Sequence, residues 1–122
     1  MKLKTALLLV DHGSKKTSAN DLLHEVGQML QKMNPNVTIK IAHMELAEPT
    51  IAQGFQACAD AGAEEIIVHP YMLSPGRHST VDIPRMVEEC GIHFPNVRYR
   101  VTDPLGLHEK ICEVVLERSG LT

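Results

Sequence analysis

The sequence predicts an α/β fold: a three-layer, doubly wound, four-stranded parallel sheet in the order 2-1-3-4, with helices on both faces. Three observations predict it. Four apolar runs alternate with four helix-period patterns, which implies parallel strands joined by right-handed crossovers. Two of the runs are continuously apolar and two alternate, which separates central strands from edges. No linker, repeat or low-complexity stretch interrupts the pattern, so residues 1–122 read as a single domain with one core.

The first strand is read over 4–10 (KTALLLV), almost wholly apolar after Thr5, as in a strand buried on both faces. The first helix carries Leu22, Leu23, Val26, Met29, Leu30 and Met33 at helical spacing, with Ser18 or Asn20 as N-cap. The second strand, 37–43, alternates, with Val37, Ile39 and Ile41 on one face and Thr38 and Lys40 on the other. Pro49 suits the first turn of the second helix, whose face Ile51, Phe55 and Cys58 continue until Gly62. The third strand, 65–71, is again apolar. Pro84 starts the third helix, with Met86, Val87 and Cys90 facing inward and Gly91 at its end. Met29, Met33 and Met86 are assigned to the core. The fourth strand, 97–101, places Arg98 and Arg100 on one side, and the last helix buries Leu107, Ile111, Val114 and Val115 before Gly120.

The composition excludes several function classes. Hydrophobic residues make up 43 % and charged residues 22 %, with a net charge of −3, so no nucleic-acid or membrane surface is expected. No apolar run approaches the ~20 residues of a membrane span. The opening MKLKTALLLVDHG lacks a small-residue cleavage site, and its apolar part reads better as a strand than as a leader. Cys58, Cys90 and Cys112 are odd in number, widely spaced and without a CxxC pair. They fit small buried hydrophobes in a reduced, cytoplasmic setting.

Doubly wound sheets bind ligands beyond the carboxyl ends of their strands, where the winding reverses. In the order 2-1-3-4 that point lies between strands one and three. The loops leaving them read Asp11-His12-Gly13-Ser14-Lys15-Lys16 and Leu73-Ser74-Pro75-Gly76-Arg77-His78-Ser79-Thr80, so His12 and His78 can converge there. Glu45, leaving strand two, can reach the same point. Two imidazoles with open positions suit Co, Ni, Fe or Zn and form a site that can pass an ion on. A structural zinc site would want four closed ligands, and no cysteine lies nearby. Histidine also accepts protons near neutrality.

Other candidates carry two readings each. Ser14, Lys15 and Lys16 hold an anion at a helix start, or simply cap the helix and expose a basic pair. Arg77 suits substrate carboxylates. Asp82 orients a histidine or stabilises a helix start. His69 reads as a satisfied core or interface residue, and His24, His93 and His108 as surface. His43 ends strand two beside the acidic segment and borders the pocket, or not.

LLLVDHGS, MELAEPTI and SPGRHSTVDIP, in that order, resemble the three hallmark segments of the short-form sirohydrochlorin chelatases, the class II chelatases of cobalamin and sirohaem synthesis. The likeness runs from about residue 3 to about residue 109 and includes Asp103-Pro104-Leu105-Gly106. It implies a chelatase-like fold and a lyase-type metallochelatase. Such an enzyme inserts Co²⁺ or Fe²⁺, or alternatively Ni²⁺, into a sirohydrochlorin-type tetrapyrrole and releases two protons. By the same likeness His12 binds metal and accepts a proton, and His78 is the second metal ligand. Glu45 takes part in catalysis through metal delivery or proton removal. Glu48 and the loop Leu73, Ser74, Pro75, Gly76 and Arg77 border the tetrapyrrole. The divalent ion is a substrate, and no permanently bound cofactor is implied. The chain lacks the cysteine-rich tail of plant-type relatives, so no iron–sulfur cluster is expected. Family members of this length are homodimers, and longer ones fuse two halves.

A non-catalytic metal or tetrapyrrole carrier of the same fold would share these residues. Two other rivals fit worse. A flavodoxin-like FMN carrier would want Ser and Thr in the first loop and more than two Tyr and two Phe for stacking. A histidine phosphatase would place arginine, not Asp11, before the histidine.

Overall fold

The structure is a computed structural model and describes residues 3–122; Met1 and Lys2 lie outside the described residues. Four parallel strands, β1 (Thr5–Asp11), β2 (Thr38–His43), β3 (Glu65–Pro70) and β4 (Arg98–Val101), lie in the order β2-β1-β3-β4. The expected order and edge assignment hold. The cause is visible at β1, whose side chains are needed on both faces. Ala6, Leu8 and Val10 enter the main core with Phe55, Ile66, Val68, Ile83 and Val87. Leu7 and Leu9 pack the other way, with Leu23, Val26, Leu30, Ile39 and Ile41.

Helix α1 (Thr17–Met33) covers the second cluster, while α2 (Ile51–Asp60) and α3 (Ile83–Gly91) cover the main core. In α2 a side chain on Gly54 would run into Leu8 and Ala42, so glycine lets the helix press onto the sheet. The edge of β2 is blunted from within. Gln31 of α1 donates to the Val37 carbonyl at 2.7 Å and accepts from the Ile39 N–H at 3.1 Å, occupying groups a foreign strand would otherwise find.

Several sequence expectations are corrected. Met29 and Met33 are 65 % and 74 % exposed, because α1 turns the stripe Leu23, Val26 and Leu30 to the sheet, leaving Leu22, Met29 and Met33 outside. Helix α1 begins at Thr17 after Lys16, with no side-chain cap, since the Asn20 amide is engaged elsewhere. Pro49 precedes α2, in a cis Glu48–Pro49 peptide, and Thr50 and Gln53 cap that helix reciprocally. Cys112 is exposed, while Cys58 is buried and burial raises its thiol pKa to about 11.

The largest difference concerns α4 (Glu109–Arg118), which buries no residue: Leu107, Val114 and Val115 are all exposed and Ile111 is only half-buried. Strand registers place Arg98 and Arg100 on the same face as Glu65 and Ile67, opposite the α2–α3 core. That face carries exposed arginines and half-buried Ile67 and His69. His69 is satisfied by the Thr102 hydroxyl at 2.8 Å, and burial lowers its pKa. No described helix is long and apolar enough to cross a membrane.

Candidate functional site

The carboxyl ends of β1 and β3 open into a cavity of about 450 Å³. Its wall is formed by the loop after β1, with Asp11, His12 and Ser14, and by the loop after β3, with Tyr71, Leu73, Gly76 and His78. The switch point of the sheet therefore carries the pocket that the topology nominates.

Local chemistry shapes both loops. Asn20 clasps Ser14, accepting from its N–H at 3.0 Å and donating to its carbonyl at 2.8 Å. The Ser14 hydroxyl accepts from the Lys16 N–H at 3.0 Å. Two amides that an anion would have needed are thus consumed by the loop's own side chains, which counts against the anion reading of this segment, although no side chain caps the helix itself. Across the cavity, Ser79 is 4 % exposed and its hydroxyl bonds the Gly76 N–H and carbonyl, while Thr80 donates to the same carbonyl at 2.7 Å. The Leu105 and Gly106 N–H groups donate to the carbonyls of Met72 and Leu73, so the Asp103–Gly106 segment braces the loop from below.

His12 and His78 meet. Their ring centroids are 4.3 Å apart and the planes stand at 81°. That separation is within reach of two imidazoles sharing an ion, for which metal–nitrogen bonds are about 2.0–2.1 Å. His78 opens a single π-helical turn, His78–Asp82, that runs into α3, and its Nδ1 lies 3.1 Å from Asp82 Oδ2. A carboxylate on Nδ1 fixes the ring and leaves Nε2 for a ligand, the usual arrangement behind a metal-binding histidine. Among the described residues the His12 ring has no hydrogen-bond partner, so its lone pair can be presented to the cavity from either nitrogen.

The structure distributes the other sequence-predicted residues unevenly. Ser14, Leu73, Ser74 and Gly76 line the cavity; Lys15, Glu45, Glu48, Pro75 and Arg77 are exposed and do not. Glu45 is tied in by its backbone, whose N–H donates to the His12 carbonyl at 3.0 Å, and the residue is exposed. Glu48 accepts from Gln53 at 3.1 Å, and the Arg77 guanidinium stands 3.9 Å from Asp82 with its side chain 80 % exposed. Among the described residues no three His, Cys, Asp or Glu side chains lie close enough to enclose a metal ion. The two imidazoles therefore form an open site.

Sequence reasoning did not single out Asp11, Tyr71, Met72 or Asn20 as wall residues. The first three had a signal, since each sits at the carboxyl end of a central strand. Asn20 had none beyond being polar near a helix start.

Comparison with known proteins places this geometry. The CbiX family model matches residues 6–120. The chain belongs to the CbiX family. A chloroplastic sirohydrochlorin ferrochelatase of Arabidopsis thaliana is 38 % identical over 112 residues, covering 92 % of this chain and 50 % of that protein. A sirohydrochlorin cobaltochelatase of Methanococcus maripaludis is 30 % identical over 140 residues, covering 94 % of this chain and 97 % of its own length. Among solved structures, the sirohydrochlorin chelatase SirB from Bacillus subtilis subspecies spizizenii, in complex with cobalt, superposes with a TM-score of 0.90 at 30 % identity. That match covers 97 % of this CbiX-family chain and 50 % of SirB. The chain thus spans half the length of the plant relative and of SirB.

Proposed function

We propose that this chain inserts a divalent metal ion into sirohydrochlorin, releasing the two pyrrole protons that the ion replaces. The observation that carries the reading is the His12–His78 pair, two imidazoles 4.3 Å apart in an open cavity at the switch point of the sheet. Such a pair holds an ion firmly enough to orient it and leaves positions through which a macrocycle nitrogen can take it over. His12, whose ring has no hydrogen-bond partner among the described residues, is suited to accept a pyrrole proton on the lone pair that the departing ion frees. Glu45 lies one backbone hydrogen bond from His12 and, after rotation inward, would carry a proton out of the cavity or an ion into it. Arg77 and Lys15, both exposed and each next to a residue of the cavity wall, would pair with the peripheral carboxylates of a macrocycle lying over the opening. The relatives are named for iron and for cobalt, and two imidazoles accept either, as well as nickel. Sirohaem and cobalamin synthesis are the two routes that this reading serves.

Anaerobic absorbance of sirohydrochlorin with Co²⁺, Fe²⁺ or Ni²⁺, with and without catalytic amounts of protein, tests the proposal. Insertion accelerated over many turnovers supports it. Binding without acceleration would replace the enzyme by a carrier. Asp82→Ala is expected to lower kcat/KM about 10- to 100-fold, as loss of a carboxylate behind a metal-binding histidine does. Equal activity in that variant would show that His78 needs no orientation.

We further infer that two copies associate. Helix α4 leaves Val114, Val115 and Leu116 uncovered, and the β3–β4 face leaves Arg98 and Arg100 exposed. Glu109, Glu113 and Glu117 form an acidic stripe along α4, complementary to those arginines. Light scattering is expected to give twice the 13.5 kDa of one chain, and Val115→Asp to halve that mass. A monomeric wild type would end this part of the reading.

A further inference from the structure

His43 is fully buried, and the site as described makes no use of it. It ends β2 directly opposite Asp11, which ends β1. Its Nδ1 lies 2.6 Å from Asp11 Oδ1, whereas its Nε2 is buried without any hydrogen-bond partner. An ionised carboxylate only accepts, so the Nδ1–H donates and the orphaned Nε2 carries a bare lone pair. Burying that lone pair is costly, and an aliphatic side chain would fill the same space without the cost. The bond to Asp11 is what an imidazole supplies at this position and an aliphatic residue cannot.

Asp11 in turn faces the cavity. It lines the wall next to His12 and is 22 % exposed at its side chain. Among the described residues its second oxygen has no partner. The pair therefore sets into the cavity wall a carboxylate gripped by a buried N–H, with one oxygen left unpartnered among the described residues. We propose that Asp11 is a further binding group for the cationic substrate, a fixed negative charge that draws the dication to His12 and His78, and that His43 is its positioning residue. This rests on the cavity receiving a divalent cation. Asp11 is not a third ligand, since no three donors cluster here; it acts across the cavity through its field. Such an effect weakens as salt screens it.

Asp11→Asn tests this cleanly, because the amide oxygen still accepts from His43 Nδ1–H and only the charge is lost. The apparent KM for Co²⁺ is expected to rise about tenfold at low ionic strength, and the gap to the wild type to shrink in ~0.5 M salt. The KM for sirohydrochlorin, kcat and Tm should stay near wild type. Equilibrium dialysis with Co²⁺ alone should show the same loss of affinity without turnover. His43→Asn, whose amide nitrogen sits near the Nδ1 position, should keep the wild-type metal KM, while His43→Leu, which leaves the Asp11 charge in place but unheld, should raise the metal KM less than Asp11→Asn does and keep its dependence on salt. An unchanged metal KM in Asp11→Asn would overturn the proposal. So would a fall of kcat and Tm together with a rise of both KM values, which would mean that the pair only clasps the two strands. If the wild type neither binds nor inserts Co²⁺, the chelatase reading itself fails and this inference goes with it. Wild-type insertion with an indifferent Asp11→Asn would sink the inference alone.

Discussion

Replacing His12 by alanine is expected to lower kcat/KM for metal insertion by about a thousandfold, with Tm within a few degrees of wild type. The size follows from two losses at one position. The cavity wall holds two imidazoles, so removing one leaves the ion on a single protein donor, with water filling the rest of its shell. The same change removes a positioned proton acceptor, an effect worth typically 10²- to 10⁴-fold on its own. Stability should hardly respond, because the ring is exposed and among the described residues makes no hydrogen bond. His78→Ala should reproduce the loss of metal affinity with a smaller effect on kcat. Anaerobic stopped-flow absorbance with saturating sirohydrochlorin and varied Co²⁺ separates the two contributions. If His12→Ala keeps more than a tenth of the activity, the two-imidazole site is not where insertion occurs.

The same residues show what could be read from the sequence and what could not. β1 was legible as central because both of its faces are covered, and a strand covered twice cannot afford alternation. β3 read the same way in sequence, yet only its Ile66 and Val68 face is buried, with Ile67 and His69 half-buried on the other. That choice fixed the sheet order, the order fixed the switch point, and His12 and His78 then followed from lying in the two loops that leave it. Helix α1 failed in detail because its apolar residues form two adjoining stripes. Only the seating of the helix on β2, where a side chain on Gly27 would meet Ile41, selects Leu23 and Leu30 over Leu22 and Met29. The apolar pattern of α4 was read as a buried face and is not one, because among the described residues nothing covers Val114, Val115 and Leu116. That Glu45 and Glu48 are exposed and off the cavity wall was beyond reach for a different reason, since residue spacing carries no information about side-chain direction in a loop. Asp11–His43 required the β1–β2 register, which sets these two residues opposite each other and emerges only from the folded sheet.

Gly13 joins fold to site most tightly, and Gly13→Ala is expected to destabilise the chain by about 3 kcal/mol or more and to abolish insertion in whatever remains folded. Two costs combine. The residue sits at φ +87°, a left-handed conformation that costs an L side chain roughly 1–2 kcal/mol. The added methyl would also overlap the Glu45 carbonyl oxygen and crowd the His43 Cβ. The carbonyl is backbone, held where it is by the Met44 N–H to Asp11 carbonyl bond at 2.9 Å and the Glu45 N–H to His12 carbonyl bond at 3.0 Å. Relief therefore means moving the loop after β1 away from the segment after β2, and His12 travels with it. A shift of this kind is felt at the chemistry, where misplacement by about 1 Å is worth ~10²-fold. At roughly 3–6 °C per kcal/mol for a chain of this size, Tm should fall by about 10 °C or more. Gly76→Ala provides the control. Gly76 also lines the cavity, yet it lies outside the left-handed region and a Cβ there would meet nothing within 4 Å, so its Tm should stay at the wild-type value. Loss of stability in both variants would point to a general intolerance of the cavity loops. Loss at position 13 alone ties the site's geometry to one backbone crossing between the His12 loop and the Glu45 segment.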